Sequence, residues 1–245
     1  MITDGGLGYD VAGTGDPALV FVHGWSSDRT YLEPQFRHFA DSHRVVALDL
    51  RGHGSSRPGP TYNCDALADD VLAVAAHAGL ARPIIVGHSL GGLVALTCAA
   101  RPGAVAAAVL VDPAPMLPRG QGYFTRFLPD VVADTDGSWR AAFAGRLFGP
   151  HDTVRRDETL TAVRAVPLPV AVGGWRAIAE FDGAAVLPRV DGPVLLITAG
   201  EPEAGVAERL GDVTLGRTVG AGHFLQLEVP DQVNAMIARW LDVQH

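Results

Sequence analysis

Three short stretches carry residue types that could do chemistry together. Residues 87–91 read Gly-His-Ser-Leu-Gly, residues 220–223 read Gly-Ala-Gly-His, and residues 22–25 read Val-His-Gly-Trp. The first is a G-x-S-x-G pattern, a weak signal by itself in a chain with 29 glycines. It gains force because it follows the apolar run Pro83–Gly87 and opens a helical pattern over Leu90–Ala100. That strand–turn–helix context is the one in which a serine sits on a sharp, exposed turn, with glycines two before and two after to leave it room. Ser89 is thus the candidate nucleophile. The backbone N–H of Leu90, at the positive end of the following helix, is a candidate donor to a developing oxyanion.

A serine hydroxyl needs a base. Of nine histidines, His223 lies on a loop between the last expected strand and the last expected helix, with small residues before it that let the imidazole reach the turn. His223 is the candidate base. The backbone N–H of Trp25, in the His-Gly-Trp stretch after an early strand, is the second candidate oxyanion donor. His23 and His88 read as structural histidines, one bracing its loop and the other packing beside the serine. Asp49 and Arg51, in the tight turn Asp-Leu-Arg-Gly-His-Gly-Ser-Ser over residues 49–56, read as loop-holding ion-pair residues.

These groups need a scaffold that brings distant loops to one edge. Continuous apolar runs at Ala18–His23, Arg44–Asp49, Pro83–Gly87, Ala107–Asp112, Pro193–Thr198 and Thr214–Val219 suit strands buried on both faces, as in a parallel sheet. Helical patterns lie between them at Tyr31–Ala40, Asp65–Ala78, Leu90–Ala100 and Pro230–Val243, the last with proline near its first turn. Alternation of this kind predicts an α/β three-layer sandwich with a mostly parallel sheet. The alternation breaks between Pro113 and Pro188. There, Phe124/Phe127/Leu128/Val131 and Trp139/Phe143/Leu147 recur at helical spacing. Residues 115–187 therefore read as an inserted helical cap on a core of residues 1–114 and 188–245. The insertion holds eight of the 17 aromatic residues in 73 of 245 positions. Most should be packing, and the rest should line an apolar pocket between the two layers.

Composition narrows the chemistry. The chain has a net charge of −8, and all 19 of its basic residues are arginine. The acidic balance argues against nucleic acid or an anionic membrane surface as partner. The lack of lysine excludes lysine Schiff-base, pyridoxal-phosphate and lysine-dependent P-loop chemistry. Cys64 and Cys98 have no partners at metal-site spacing, so free thiols are expected, with no metal and no cofactor. The N-terminus shows no signal-peptide pattern and no apolar run reaches a membrane span, so a cytoplasmic protein is expected. The sequence carries no signal for oligomeric state.

HGW, DLRGHGSS, GHSLGG and GAGH, in this order and at these spacings, resemble the α/β-hydrolase fold superfamily, and within it the small capped esterases, lactonases and C–C hydrolases. The resemblance covers essentially the whole chain. It implies Ser89 as acyl nucleophile, His223 as general base, and an acid after one of two strands. The commoner family pattern points to Glu203, in Gly-Glu-Pro-Glu over residues 200–203, where Asp is usual. A minority pattern points to Asp112, which ends the run Ala107–Asp112, and Asp112 is the favoured assignment with Glu203 the alternative. Relatives that open epoxides or remove halogen carry Asp at the nucleophile position, so Ser89 disfavours those reactions. The expectation is a serine hydrolase of a small, largely apolar ester, lactone or related acyl substrate. The rival readings are a C–C bond hydrolase, a cofactor-free oxygenase or lyase, and a ligand receptor on the same fold. Should the substrate carry a carboxylate, Arg126 or Arg140 of the insertion is the first candidate to bind it.

Overall fold

The structure, a computed structural model, describes residues 1–150 and 155–244. Seven strands form one sheet: β1 (Tyr9–Ala12), β2 (Leu19–Val22), β3 (Val45–Leu48), β4 (Ile84–His88), β5 (Ala107–Val111), β6 (Val194–Thr198) and β7 (Val213–Arg217). Their order is β1-β3-β2-β4-β5-β6-β7. Only β1 runs antiparallel to its neighbour. Strands β2 to β6 are buried at every residue, which is why they read as unbroken apolar runs, whereas edge strand β7 is not. The sequence placed this last strand at Thr214–Val219. It starts and ends slightly earlier, the usual imprecision of an exposed edge without an apolar run to mark its limits.

Helices α1 (Glu33–Ala40), α2 (Cys64–His77) and α3 (Leu90–Ala99) alternate with the first strands. The side chain of Asn63 caps α2 by accepting from the Ala66 N–H at 2.9 Å. Helix α3 is buried all round, the signature of a core helix rather than an amphipathic one. Between β5 and β6 the alternation stops, and five helices follow: α4 (Pro118–Ala133), α5 (Ser138–Gly145), α6 (Arg156–Ala165), α7 (Leu168–Ala179) and α8 (Gly183–Val186). All fall within the stretch read as an insertion, of which residues 151–154 lie outside the described residues. Short α9 (Leu225–Glu228) and α10 (Pro230–Gln244) close the chain, and Pro230 is the first residue of its helix as the sequence implied.

One apolar cluster lies between the sheet and α2 and α3, and a second lies between the opposite face and α1 and α10. The architecture is the α/β three-layer sandwich expected from the alternation. After β2 the chain steps outward to β3 and returns on the other side to β4, so the loops leaving β2 and β4 diverge at neighbouring strand ends. In open α/β sheets a reversal of this kind forms the crevice where ligands bind.

Candidate active site

Ser89 caps α3 directly beyond β4, with φ 54° and ψ −117°. Only three non-glycine residues with positive φ occur among the described residues: Ser26, Ser89 and Asp112. Two are candidate site residues and the third follows Trp25. Such conformations persist only where the surroundings impose them, and they cluster at working sites. The surroundings here are backbone. A Cβ on Gly87 would strike the carbonyl of Gly91, and one on Gly91 would strike the carbonyl of Val22. The two glycines let β4, α3 and the β2 loop touch, and that contact forces the turn carrying Ser89.

Sheet register sets the next neighbour. His88 lies opposite Val111, so Ser89 and Asp112 leave adjacent parallel strands at the same level. The Ser89 N–H donates to the Val111 carbonyl at 3.1 Å, and the Asp112 N–H to that of Ile197 at 2.7 Å. The Asp112 carboxylate faces the loop after β7. Its Oδ2 accepts from His223 Nδ1 at 2.7 Å and its Oδ1 from the Ala199 N–H at 2.9 Å. Burial pushes the Asp112 carboxyl up, but the hydrogen bond and charge of His223 and the Ala199 N–H outweigh it and hold the group below the usual range. An ionised carboxylate only accepts, so Nδ1 carries a proton, and whenever the ring is neutral its lone pair is on Nε2.

Glu203 is committed elsewhere. Its two oxygens accept from the backbone N–H groups of Met116 and Leu117, at 2.7 and 3.2 Å, tying the start of the helical segment to the loop after β6. The residue at the commoner acid position is a loop fastener here, and it makes no contact with His223 among the described residues.

His23 braces its loop as expected. Its Nδ1–H donates to the Gly24 carbonyl at 2.8 Å, and its Nε2 accepts the Leu50 N–H at 3.0 Å. His88 is buried, with Nε2–H donating to the His223 carbonyl at 2.9 Å and its ring 4.7 Å from that of His223. Burial, then the neighbouring His223, pushes His88 down to about 3, so it stays neutral beside the imidazole. Asp49 and Arg51 do form ion pairs, though not with each other: Asp49 pairs with Arg29, and Arg51 with Asp70 at 2.6 Å. Arg140 is not available to a substrate, because it is buried against Asp134 and donates to the carbonyls of Arg164 and Val166. Arg126 lies beside the Phe127 ring, 5.4 Å from its centroid.

Ser89, Asp112, His223 and Trp25 all line one cavity of about 490 Å³. Of the eight aromatics counted in the insertion, Tyr123, Phe124 and Phe143 reach its wall, and Ala144, Leu147, Val163 and Ile178 line the helical side with them. The other five pack elsewhere. Trp175, fully buried, donates its indole N–H to the Phe124 carbonyl at 2.7 Å, and Trp25 donates its own to Ala171 at 2.7 Å. Sequence reading missed Ser27 and Phe224, which also line the cavity. Both sit one or two residues beyond a residue already singled out, which is the signal that could have found them.

A model of the alpha/beta hydrolase family matches residues 19–236. The chain belongs to that family. It is 35% identical over 243 residues to a putative esterase/lipase of Haemophilus influenzae, an alignment covering 92% of this chain and 83% of that protein. It is 30% identical over 253 residues to the pimeloyl-[acyl-carrier protein] methyl ester esterase of Xanthomonas oryzae pv. oryzae, covering 95% and 97% of the two chains. Among solved structures, a malate-bound thermophilic esterase from Thermogutta terrifontis superposes with a TM-score of 0.84 at 25% identity, covering 98% of this chain and 94% of the other. The protein is a hydrolase. No helix among the described residues is long and apolar enough to cross a membrane.

Proposed function

We propose that the protein is a serine hydrolase that cleaves an ester, lactone or related acyl bond of a small, largely apolar substrate, with residues 115–187 serving as its cap. The observation that carries this reading is the 2.7 Å hydrogen bond from His223 Nδ1 to Asp112, which in the neutral ring puts the lone pair on Nε2, in the cavity that Ser89 also lines. Ser89 Oγ attacks the carbonyl carbon while Nε2 takes its proton, and Asp112 stabilises the imidazolium so formed. The N–H groups of Trp25 and Leu90 hold the tetrahedral oxyanion. Collapse expels the alkoxide, which takes the proton from Nε2. Water then attacks the acyl-enzyme, gives its proton to Nε2, and Ser89 regains it as the acid is released.

Names borne by relatives support ester chemistry in general. The cavity supports an uncharged acyl group, since no arginine lies among its described lining residues and Asp112 supplies negative charge. A fluorophosphonate probe with intact-mass readout tests the proposal. Wild-type protein should gain one phosphonyl group and Ser89→Ala protein none. A wild-type chain that stays unlabelled under conditions that label an esterase standard would favour a non-hydrolytic role for this pocket.

A further inference from the structure

His223 is held at three points. Its side chain meets Asp112, its carbonyl accepts from His88, and its N–H donates to the carbonyl of Leu147 at 2.7 Å. The last partner belongs to the cap, in the link after α5, and the Leu147 side chain lines the cavity. Two glycines let these backbones approach. A Cβ on Gly222 would strike the Leu147 carbonyl and the Gly149 nitrogen, and a Cβ on Gly149 would strike Gly222 and Glu228. One carboxylate closes the contact from both sides: Glu228 Oε2 accepts from the Gly149 N–H at 2.8 Å and from the Gly222 N–H at 3.0 Å. The rings of Phe148 and Phe224 stack beside it with centroids 4.5 Å apart.

We propose that Glu228 is a positioning residue for His223, fastening the base loop to the 147–149 segment of the cap so that the imidazole is correctly aimed only while the cap is docked. The proposal rests on the reading of His223 as base. Its physical ground is that Glu228 joins two backbone amides from different layers, one of them adjacent to His223, through charge-assisted hydrogen bonds. A side chain filling the cavity against Leu147 would press on the same peptide that receives the His223 N–H, which links acyl binding to aim of the base. A misplacement of about 1 Å in such a group costs on the order of 10²-fold in rate.

The test uses full-length protein, a p-nitrophenyl butyrate assay and five variants. Glu228→Ala should lower kcat roughly 10- to 100-fold while KM moves less than about threefold. Glu228→Gln, whose amide oxygen can accept both N–H groups, should recover most of the loss. In a His223→Ala background, Glu228→Ala should change the residual rate less than about twofold, because a residue acting through His223 has nothing left to act on. If Glu228→Ala does not fold, Gly149→Ala opens the same contact from the cap side and should show the same loss in kcat. A normal kcat in folded Glu228→Ala, or an equal loss with and without His223, would overturn the proposal. A His223→Ala variant with wild-type kcat would overturn the base assignment itself, and the proposal with it.

Discussion

On the sheet side of the cavity, backbone places the candidate catalytic groups: a strained turn for Ser89, a left-handed φ for Asp112, and parallel register that brings both to one level. On the helical side, side chains make the wall. Tyr123 and Phe124 on α4 and Phe143 on α5 are propped by Trp175, whose ring centroid lies 4.6 Å from that of Phe124 and 5.1 Å from that of Phe143. The contrast teaches a division of labour. Rigid, fully buried strands hold atoms that must not move. An aromatic layer, which can be repacked at modest cost, sets what fits.

If that division is right, changes on the sheet side should hit turnover hardest. Ser89→Ala should cost on the order of 10⁶ in kcat toward p-nitrophenyl butyrate, while the melting temperature stays nearly unchanged because the hydroxyl is not part of the core. A variant that keeps more than about a tenth of the rate would remove Ser89 from the nucleophile role.

Next in size is the choice of acid. Asp112→Asn should lower kcat by roughly 10³–10⁴, since an amide disfavours the needed tautomer and stabilises imidazolium poorly. Glu203→Gln should cost less than about tenfold, because its Oε1 can still accept from the backbone it fastens. Both are measured at saturating ester, with melts alongside, and the reverse ranking would move the acid to Glu203.

The helical side should reveal itself in selectivity instead. The kcat/KM for a butyryl ester should exceed that for the succinyl ester of the same alcohol by at least about tenfold, the equivalent of about 1.4 kcal/mol for an unpaired carboxylate in the pocket. Faster turnover of the charged ester would point to Arg126 as its partner and break the uncharged-pocket reading.

A further effect, on the fold rather than on turnover, appears in mild acid. Burial pushes His53 and His88 down to about 3 and also lowers His23. His53 and His88 take up protons in the unfolded chain below about pH 6.5 but not in the folded one until near pH 3, and His23 acts in the same direction. Stability therefore falls as pH drops, by about 1.4 kcal/mol per pH unit for each such histidine well below pH 6.5. The lowered carboxylates Asp49 and Asp112 act in a more acidic window, being lost only as pH falls through their depressed folded values. Urea melts at pH 7.5, 6 and 5 should show the decline, and a flat profile would mean that the buried rings take up protons without unfolding.

Ser89 and His223 were legible as candidates because each sits in a local pattern, a strand followed by a glycine-bearing turn, that one-dimensional spacing can express. The same holds for the strands, whose burial on both faces leaves an unbroken apolar run. The acid was not legible in that way. Asp112 and Glu203 both lie in segments that leave neighbouring strands, β5 and β6, at the same edge, and which one meets the imidazole depends on where the loop after β7 lands, a distance that spacing does not encode. The positive φ of Asp112 had no sequence signal beyond the tolerance of Asp for that region. Arg140 looked as free as Arg126 until Asp134 was found against it.

By itself, then, the sequence determined the sandwich, the turn that lifts Ser89, and the absence of lysine chemistry, because these follow from residue type and near-neighbour spacing. Tertiary structure alone decided that Asp112 rather than Glu203 faces His223, which three insertion aromatics reach the cavity, and that Glu228 joins Gly149 to Gly222 beside His223. Those facts rest on contacts between residues as much as 111 positions apart, closed only when separate layers pack against one another.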